Sequence, residues 1–433
     1  MKGILEAASR WGKHDLVRQG TRMVGWQALT KLCGVAATAW LARCLGPEKL
    51  GVSGMVMATA AQLALAGALL SDSVLTRRMK RLAAPEARSL VAGVFTVRLL
   101  FSLALAAGGV AYAGAAGLSR EWWLSIGCGA VLFLLGFNGP FWVLQAEENV
   151  PANSRATALG SLASSALAFA FARPGFPAGA DLVFLLAGAV VSFFLGWRAA
   201  WGSGWLPPLA WREVSHVWSS VREGGWFFAT ALVTYFYAFV DLPLVGWLVS
   251  LPEFGKYRTA VLLAGGLQQF LGIVPVLLYP RFIAWHQEGG DLLWRRQKRI
   301  AALLAAAVLP CVVLLFCFVR PAYRLLYGPA FADAAYPFAL LFTSWLAVLL
   351  NGIFAWGLWA MHREKEFFLL VMLPIAVVGF GLDLWLIPRF GMTAAAAINL
   401  ANQLLVLAGA FWLCARLRKR DGPGKSGGSR CAP

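Results

Sequence analysis

Apolar segments of about 20 residues follow one another along almost the whole chain, and short loops separate them. Hydrophobic residues make up 60% of the 433 residues and charged residues only 13%, so a soluble domain of this length could not bury its apolar surface. A bilayer accepts such segments as helices, because a helix satisfies its backbone polar groups internally. The sequence therefore predicts an all-α, multi-pass membrane protein with no sizeable soluble domain.

Hydropathy predicts about twelve transmembrane helices in two groups of six. The first six are expected at 23–45, 51–71, 90–113, 122–144, 155–172 and 181–200. The second six are expected at 223–248, 256–280, 300–319, 336–361, 367–387 and 392–415. This division predicts bundles at 23–200 and 223–415, a linker at 201–222, an N-terminal segment at 1–22 and a basic, disordered tail at 416–433.

Lysine and arginine crowd onto alternate loops. With the N-terminus inside, 27 of the 38 basic residues lie on the inner side and nine on the outer side. This asymmetry predicts an even number of spans with both termini in the cytoplasm. Because the basic residues are spread over seven inner loops and termini, the net charge of +18 favours contact with anionic membrane lipids over nucleic-acid binding.

Catalytic and metal-binding motifs are missing from the sequence. The seven cysteines and four histidines form no C-x-x-C pair or cluster, and there is no P-loop or nucleophile elbow. Membrane enzymes of glycan assembly, an alternative class, hold their catalytic groups in a larger outer loop or domain than this chain predicts. We therefore expect neither an enzyme nor a cofactor or metal, and leave H⁺ or Na⁺ open as a coupling ion.

Two similar strings predict tight outer turns. Residues 41–51 read LARCLGPEKLG, in which Gly46 can end one helix in a left-handed conformation and Pro47 fits the first turn of the next. Residues 247–257, WLVSLPEFGKY, repeat the device between the seventh and eighth spans. The even offset predicts a duplication of six spans in the same orientation.

These strings belong to a larger set of matching segments, at 41–51, 71–77, 143–147, 244–246, 252–257, 326–331 and 387–391. Together they resemble the lipid-linked oligosaccharide flippases of polysaccharide or O-antigen type, in the multidrug/oligosaccharidyl-lipid/polysaccharide (MOP) superfamily. The resemblance implies a MATE-like fold of two six-helix bundles around a cavity that opens alternately to each side. It also implies an undecaprenyl-pyrophosphate-linked oligosaccharide as cargo in a bacterial inner membrane, and other polysaccharide-assembly membrane proteins as partners.

Charges inside the predicted spans are the candidate substrate-binding residues, because a charge at the bilayer centre costs about 2.5–3.5 kcal/mol on insertion scales. Lys31 and Arg98 each lie about eight residues into a span from the inner side, so both lie at similar depth. Facing one cavity, they would bind a pyrophosphate. The alternative for both is snorkelling to the inner interface.

Lys256 and Arg258 begin the eighth span from the outside, as interface anchors or as an outer substrate-binding site. Asp241 precedes Pro243 in the seventh span and is expected either to pair with one of these cations or to load a coupling ion at a hinge. Asp383, near the outer end of span eleven, is a second coupling or gating candidate.

A drug or small-molecule antiporter of the same superfamily is the alternative function. Its cavity is expected to be dominated by acidic residues that hold cations. The deep charges here are mostly basic, which favours an anionic cargo.

Overall fold

The computed structural model describes residues 2–66, 72–202, 204–205, 214–271, 273–288 and 290–420. Within these residues it is helical and contains no β-strand. The chain forms two compact units, Met1–Ala229 and Thr230–Pro433. Parts of the predicted second span (67–71), linker (203 and 206–213) and tail (421–433) lie outside the described residues.

The first unit contains seven complete helices. They are α1 (Lys2–Ala66), α2 (Asp72–Met79), α3 (Ala84–Ala115), α4 (Arg120–Phe137), α5 (Phe141–Ala146), α6 (Val150–Phe171) and α7 (Ala180–Gly202). Helix α8 (Val214–Ala238) crosses the unit boundary.

The second unit continues with another seven helices. They are α9 (Asp241–Leu248), α10 (Leu251–Leu271), α11 (Ile273–Glu288), α12 (Gly290–Tyr327), α13 (Ala335–Ala360), α14 (Glu364–Phe367) and α15 (Leu373–Arg420). A 3₁₀ helix at Pro329–Ala334 precedes α13, and a π-helical turn at Phe368–Met372 precedes α15.

Among the described residues, seven helical segments are long and apolar enough to cross a membrane, or eight when the bent pair α8–α9 counts as one span. Two of the seven, Ala28–Leu65 and Glu364–Arg418, each cover two predicted spans. The predicted all-α membrane class is confirmed, whereas the count of twelve and the cytoplasmic termini stay predictions. Large apolar side chains face outward, including Leu325 (80% exposed) and Leu32 (70%), as expected where lipid is the solvent.

Helices α1 and α15 are each interrupted by a glycine. Gly46 has φ 76° and ψ 171°, and Gly391 has φ 63° and ψ −149°. The positive φ at Gly46 was expected, but ψ is extended rather than helical. This combination is essentially restricted to glycine, so each position ends one helical segment and starts another.

Beside each interruption, a polar side chain forms a hydrogen bond that joins two turns of the same unit. In the first unit, Lys49 Nζ donates to the Phe176 carbonyl at 2.6 Å. In the second, the Met392 backbone N–H, next to Gly391, donates to Glu253 Oε1 at 2.9 Å. Lys49 and Glu253 both follow a predicted outer turn, so the two units use similar devices, as the predicted duplication expects.

Helix α6, the predicted fifth span, packs between α1 and α7. Its composition, rich in Ala and Ser, allows close approach: a Cβ on Gly160 would collide with Ser192 and with the carbonyl of Gly188 on α7. Small residues commonly let transmembrane helices pack this tightly.

We predict that Gly391→Ala lowers the thermal unfolding midpoint. The added Cβ would collide with the Glu253 carboxylate, and a φ of 63° strains any side chain, for an expected loss of about 1–3 kcal/mol. Gly381→Ala in the same helix is the control, because an added Cβ there meets nothing within 4 Å. Thermal unfolding of both variants in one detergent tests this, and equal midpoints would contradict it.

Candidate functional site

The predicted fourth span is broken within the first unit. Helix α4 ends at Phe137 and α5 starts at Phe141, after Asn138, Gly139 and Pro140. Pro140 has no N–H and disfavours a helical conformation at Gly139, so carbonyls at the break lose their helical partners. Two side chains replace them: Arg98 Nη1 donates to the Phe137 carbonyl at 3.3 Å, and Trp197 Nε1 donates to the Asn138 carbonyl at 3.1 Å.

Arg98 also forms an ion pair. Its Nη2 lies 2.7 Å from Asp72 Oδ1, and its guanidinium lies 5.1 Å from the centre of the Phe137 ring. The Arg98 side chain is 7% exposed and that of Asp72 39%, so the pair is accessible from the Asp72 side. Asp72 lies close in sequence to Arg77 and Arg78, but its partner in the structure is Arg98 of α3.

A small pocket adjoins Arg98 and the helix break. It is lined by Val91, Val94, Phe95, Arg98, Asn138, Gly139, Trp142 and Trp197. Asn138 Nδ2 donates to Ser102 Oγ at 2.9 Å, while Asn138 Oδ1 is buried without a hydrogen-bond partner. The pocket therefore combines a cation, aromatic faces and a free amide acceptor.

Lys31 lies in α1, where it is partly buried. The helix around it packs against α6, since Ser161 Oγ donates to the Thr30 carbonyl at 3.4 Å. Lys31 forms no ion pair or hydrogen bond with another described residue, and none with Arg98 in particular. It is therefore a cation inside a span with no anionic partner among the described parts of the chain.

Lys80 provides a comparison for Lys31 because it lies outside the spans. Its Nζ is 2.7 Å from Glu148 Oε1, and both side chains are exposed. The hydrogen bond from Lys80 holds the pKa of Glu148 below its usual value. An exposed pair of this kind contributes little to stability.

In the second unit the predicted seventh span is bent by 51° between Phe228–Ala238 and Asp241–Leu248. The bend follows from Pro243, which has no N–H to donate to the Phe239 carbonyl one turn earlier. The Leu242 N–H donates instead to Asp241 Oδ1 at 2.9 Å. A bend is therefore present where the hinge is expected, immediately before Asp241.

Two asparagines of α15 satisfy carbonyls at the bend. Asn399 Nδ2 donates to the Ala238 carbonyl at 3.0 Å, and Asn402 Nδ2 to the Tyr237 carbonyl at 3.2 Å. A spacing of three residues places both amides on one face of the helix. Gly379 leaves room for Asn402, since a Cβ there would lie 2.5 Å from its Nδ2.

The carboxylate of Asp241 is the centre of a buried polar cluster, which we define as Asp241, Tyr257, Ser344, Asp383 and Asn399. Asp241 Oδ2 accepts from Tyr257 Oη at 2.6 Å and from Asn399 Nδ2 at 3.1 Å. Asp383 is 2% exposed and lies within electrostatic range of Asp241, and its Oδ1 has no hydrogen-bond partner. Neither carboxylate pairs with a lysine or arginine of the described residues.

The two outer cations, Lys256 and Arg258, have different surroundings. Lys256 Nζ pairs with Asp333 Oδ2 at 2.6 Å, and Arg258 is buried at 7% exposure. The expected pairing of Asp241 with Lys256 or Arg258 is wrong, because the residue between them, Tyr257, reaches Asp241 instead. Successive helical residues point about 100° apart, so only one of the three can face Asp241.

The sequence did not identify four of the residues that contact the functional groups and the broken spans: Tyr257, Trp197, Asn399 and Asn402. The available signals were the N-G-P string at 138–140, which marks a helix break, and the N-x-x-N spacing at 399–402.

The fold is that of a helical membrane protein, and solved structures of MOP-superfamily transporters have a similar architecture. The lipid II flippase MurJ in an inward closed conformation superposes with a TM-score of 0.73, at 11% identity over 90% of this chain and 87% of that chain. An inward-facing MATE multidrug transporter of the MOP superfamily gives 0.65, at 16% identity over 93% and 99%. A MOP-superfamily transporter from Pyrococcus furiosus gives 0.51, at 14% identity over 94% and 95%.

Residues 40–336 match the model of a family described as polysaccharide biosynthesis proteins. Since this match covers well over half of the chain, the chain belongs to that family. No curated protein sequence matches it significantly. The predicted family resemblance is thereby confirmed.

We predict a strong coupling between Asp241 and Tyr257. In a double-mutant cycle with Asp241→Ala and Tyr257→Phe in alkaline, sodium-free buffer, where the cluster holds neither proton nor Na⁺, the interaction energy should be about 1.5–3 kcal/mol, because the bond then involves a charged acceptor. The neutral bond between Thr259 and Tyr323 Oη, 2.7 Å long, is the control and should give about 0.5–1.5 kcal/mol. Unfolding free energies in bicelles measure both cycles, and a smaller value for the Asp241 pair would contradict the assignment.

Proposed function

We propose that this protein is a non-enzymatic flippase that moves an isoprenoid-pyrophosphate-linked oligosaccharide across a bacterial inner membrane by alternating access. Membership of the polysaccharide biosynthesis family supports the cargo class. The architecture shared with a lipid II flippase supports a lipid-linked substrate. The observation that carries the proposal is Lys31, a cation inside a span without an anionic partner among the described residues.

The pyrophosphate binds first to Lys31. Arg98 then exchanges its ion pair with Asp72 for one with the pyrophosphate. An arginine can hold a phosphate through two parallel hydrogen bonds, as it holds a carboxylate, and the partly exposed Asp72 leaves one side of the pair accessible. The membrane potential, negative inside, assists outward movement of the anion by about 2.3 kcal/mol per charge per 100 mV.

We predict that Lys31→Ala slows flipping of a fluorescent undecaprenyl-pyrophosphate saccharide in proteoliposomes by about 10- to 100-fold, the loss of one charge-assisted contact. Arg98→Lys keeps the charge but loses the paired geometry, so it should be impaired less than Arg98→Gln. Lys80→Ala removes a cation outside the spans and is the control. Flipping by Lys31→Ala at the Lys80→Ala rate would refute the assignment.

The polar cluster is proposed as the coupling site, with Asp241 and Asp383 binding H⁺ or Na⁺. Two buried carboxylates without a basic partner need a proton or a cation to offset their mutual repulsion. Tyr257 and Asn399 already donate to Asp241, whereas Asp383 Oδ1 is left open to receive the ion. Binding there would change the charge beside the α8–α9 hinge.

We predict that Asp241→Asn and Asp383→Asn each abolish the acceleration of flipping by an imposed ion gradient. Separate proton and sodium gradients across the proteoliposomes identify the ion. Asp333→Asn, which removes an exposed carboxylate paired with Lys256, should keep the acceleration. Gradient-driven transport that persists in both cluster variants would contradict the coupling role.

An ion-coupled antiporter of small organic cations is the second candidate, favoured by the same buried carboxylates and by the MATE neighbours. It predicts exchange of an organic cation for H⁺ or Na⁺ in the same proteoliposomes, with no movement of the lipid-linked saccharide.

A further inference from the structure

Three cations at one end of the second unit are held over tryptophan rings. Arg296 Cζ lies 4.8 Å from the centre of Trp285, Lys298 Nζ 5.3 Å from Trp294, and Arg416 Cζ 5.3 Å from Trp412. The charge asymmetry of the loops predicts that this end is the cytoplasmic one. Each cation is thereby positioned by the face of an aromatic ring.

A buried glutamine fixes the rotation of α12 at this point. Gln297 is 1% exposed, and its Nε2 donates to the Ile353 carbonyl of α13 at 2.8 Å. Gly357 leaves the space that its amide occupies. With Gln297 turned inward, its neighbours Arg296 and Lys298 are both exposed at the surface.

Ring contacts join α12 to α15. The ring of Trp294 lies 5.2 Å from that of Phe411, the residue before Trp412. Each of the two cations follows, by four residues, an aromatic residue at this junction: Lys298 follows Trp294 itself, and Arg416 follows Trp412, the neighbour of Phe411. We call the set Trp294, Lys298, Phe411, Trp412 and Arg416 the α12–α15 corner.

The two cations of this corner have no anionic partner within the described part of the chain. Neither Lys298 nor Arg416 forms an ion pair with a described residue, and Glu366 of α14 is paired with Arg363. Towards the membrane interior the two helices present exposed apolar side chains, such as Leu303 (64%) and Leu405 (52%). A ligand that fits has a phosphate at the cations and hydrocarbon chains along these residues.

We propose that the α12–α15 corner binds the headgroup of an anionic phospholipid of the inner leaflet. Basic pockets between transmembrane helices on the cytoplasmic side recognise such headgroups, and amphipathic tryptophan rings lie at the same depth. The site shares no residue with the polar cluster and does not include Lys31 or Arg98. It does not depend on what the protein transports.

Native mass spectrometry of the purified full-length protein, with phosphatidylglycerol or phosphatidylcholine added, tests the proposal. The wild type should retain phosphatidylglycerol, and Lys298→Ala/Arg416→Ala should bind it at least about tenfold more weakly. Arg389→Ala is the matched control, because it removes the same type of contact, 4.6 Å from Trp385, in the first half of α15. It should bind phosphatidylglycerol like the wild type.

Lys298→Arg/Arg416→Lys should keep the lipid, which separates loss of charge from loss of folding. Equal retention of phosphatidylcholine and phosphatidylglycerol by the wild type would overturn the proposal. So would unchanged phosphatidylglycerol binding by the double alanine variant, or displacement of the lipid by millimolar inorganic phosphate, which would indicate a site for free phosphate.

Discussion

Backbone carbonyls freed inside the membrane impose the constraint on which both units depend. The hydrocarbon core offers no water, so a broken span that does not line a water-filled cavity persists only where protein groups replace the lost helical bonds. Arg98 and Trp197 do this at 137–138, and Asn399 and Asn402 do it at 237–238. Each break is thus tied to polar side chains from another helix.

The same bonds place functional chemistry next to the breaks. Because Arg98 donates to a carbonyl at the helix break, its positive charge also lies there, and Asp72 compensates that charge. Asn399 bonds both the Ala238 carbonyl and Asp241, so one amide links the bend to the buried carboxylate. The residues that bond the freed carbonyls therefore also belong to the proposed ion and substrate sites, which is typical of broken helices in transporters.

Much of this architecture follows from the sequence. Composition and span length are sufficient for the helical membrane class, and the G-P-E string predicted the interruption at Gly46. Asp241 and Arg98 were recognisable because charges inside spans are expensive. Their partners were not recognisable, because the direction of a side chain depends on the rotation of its helix. Asp72 and Arg77 are five residues apart and so point about 140° away from each other, which leaves Asp72 to a residue of another helix.

The seven residue steps from Met392 to Asn399 correspond to about two helical turns. One end of this stretch is fixed by Glu253 and the other by the Ala238 carbonyl and Asp241. This part of α15 consequently sets a distance of about 10.5 Å along the helix between the contact with the outer turn and the contact with the buried carboxylate. An insertion or deletion of one residue here would rotate the asparagines by about 100°, so the length of this stretch is constrained more strictly than the identity of its lipid-facing residues.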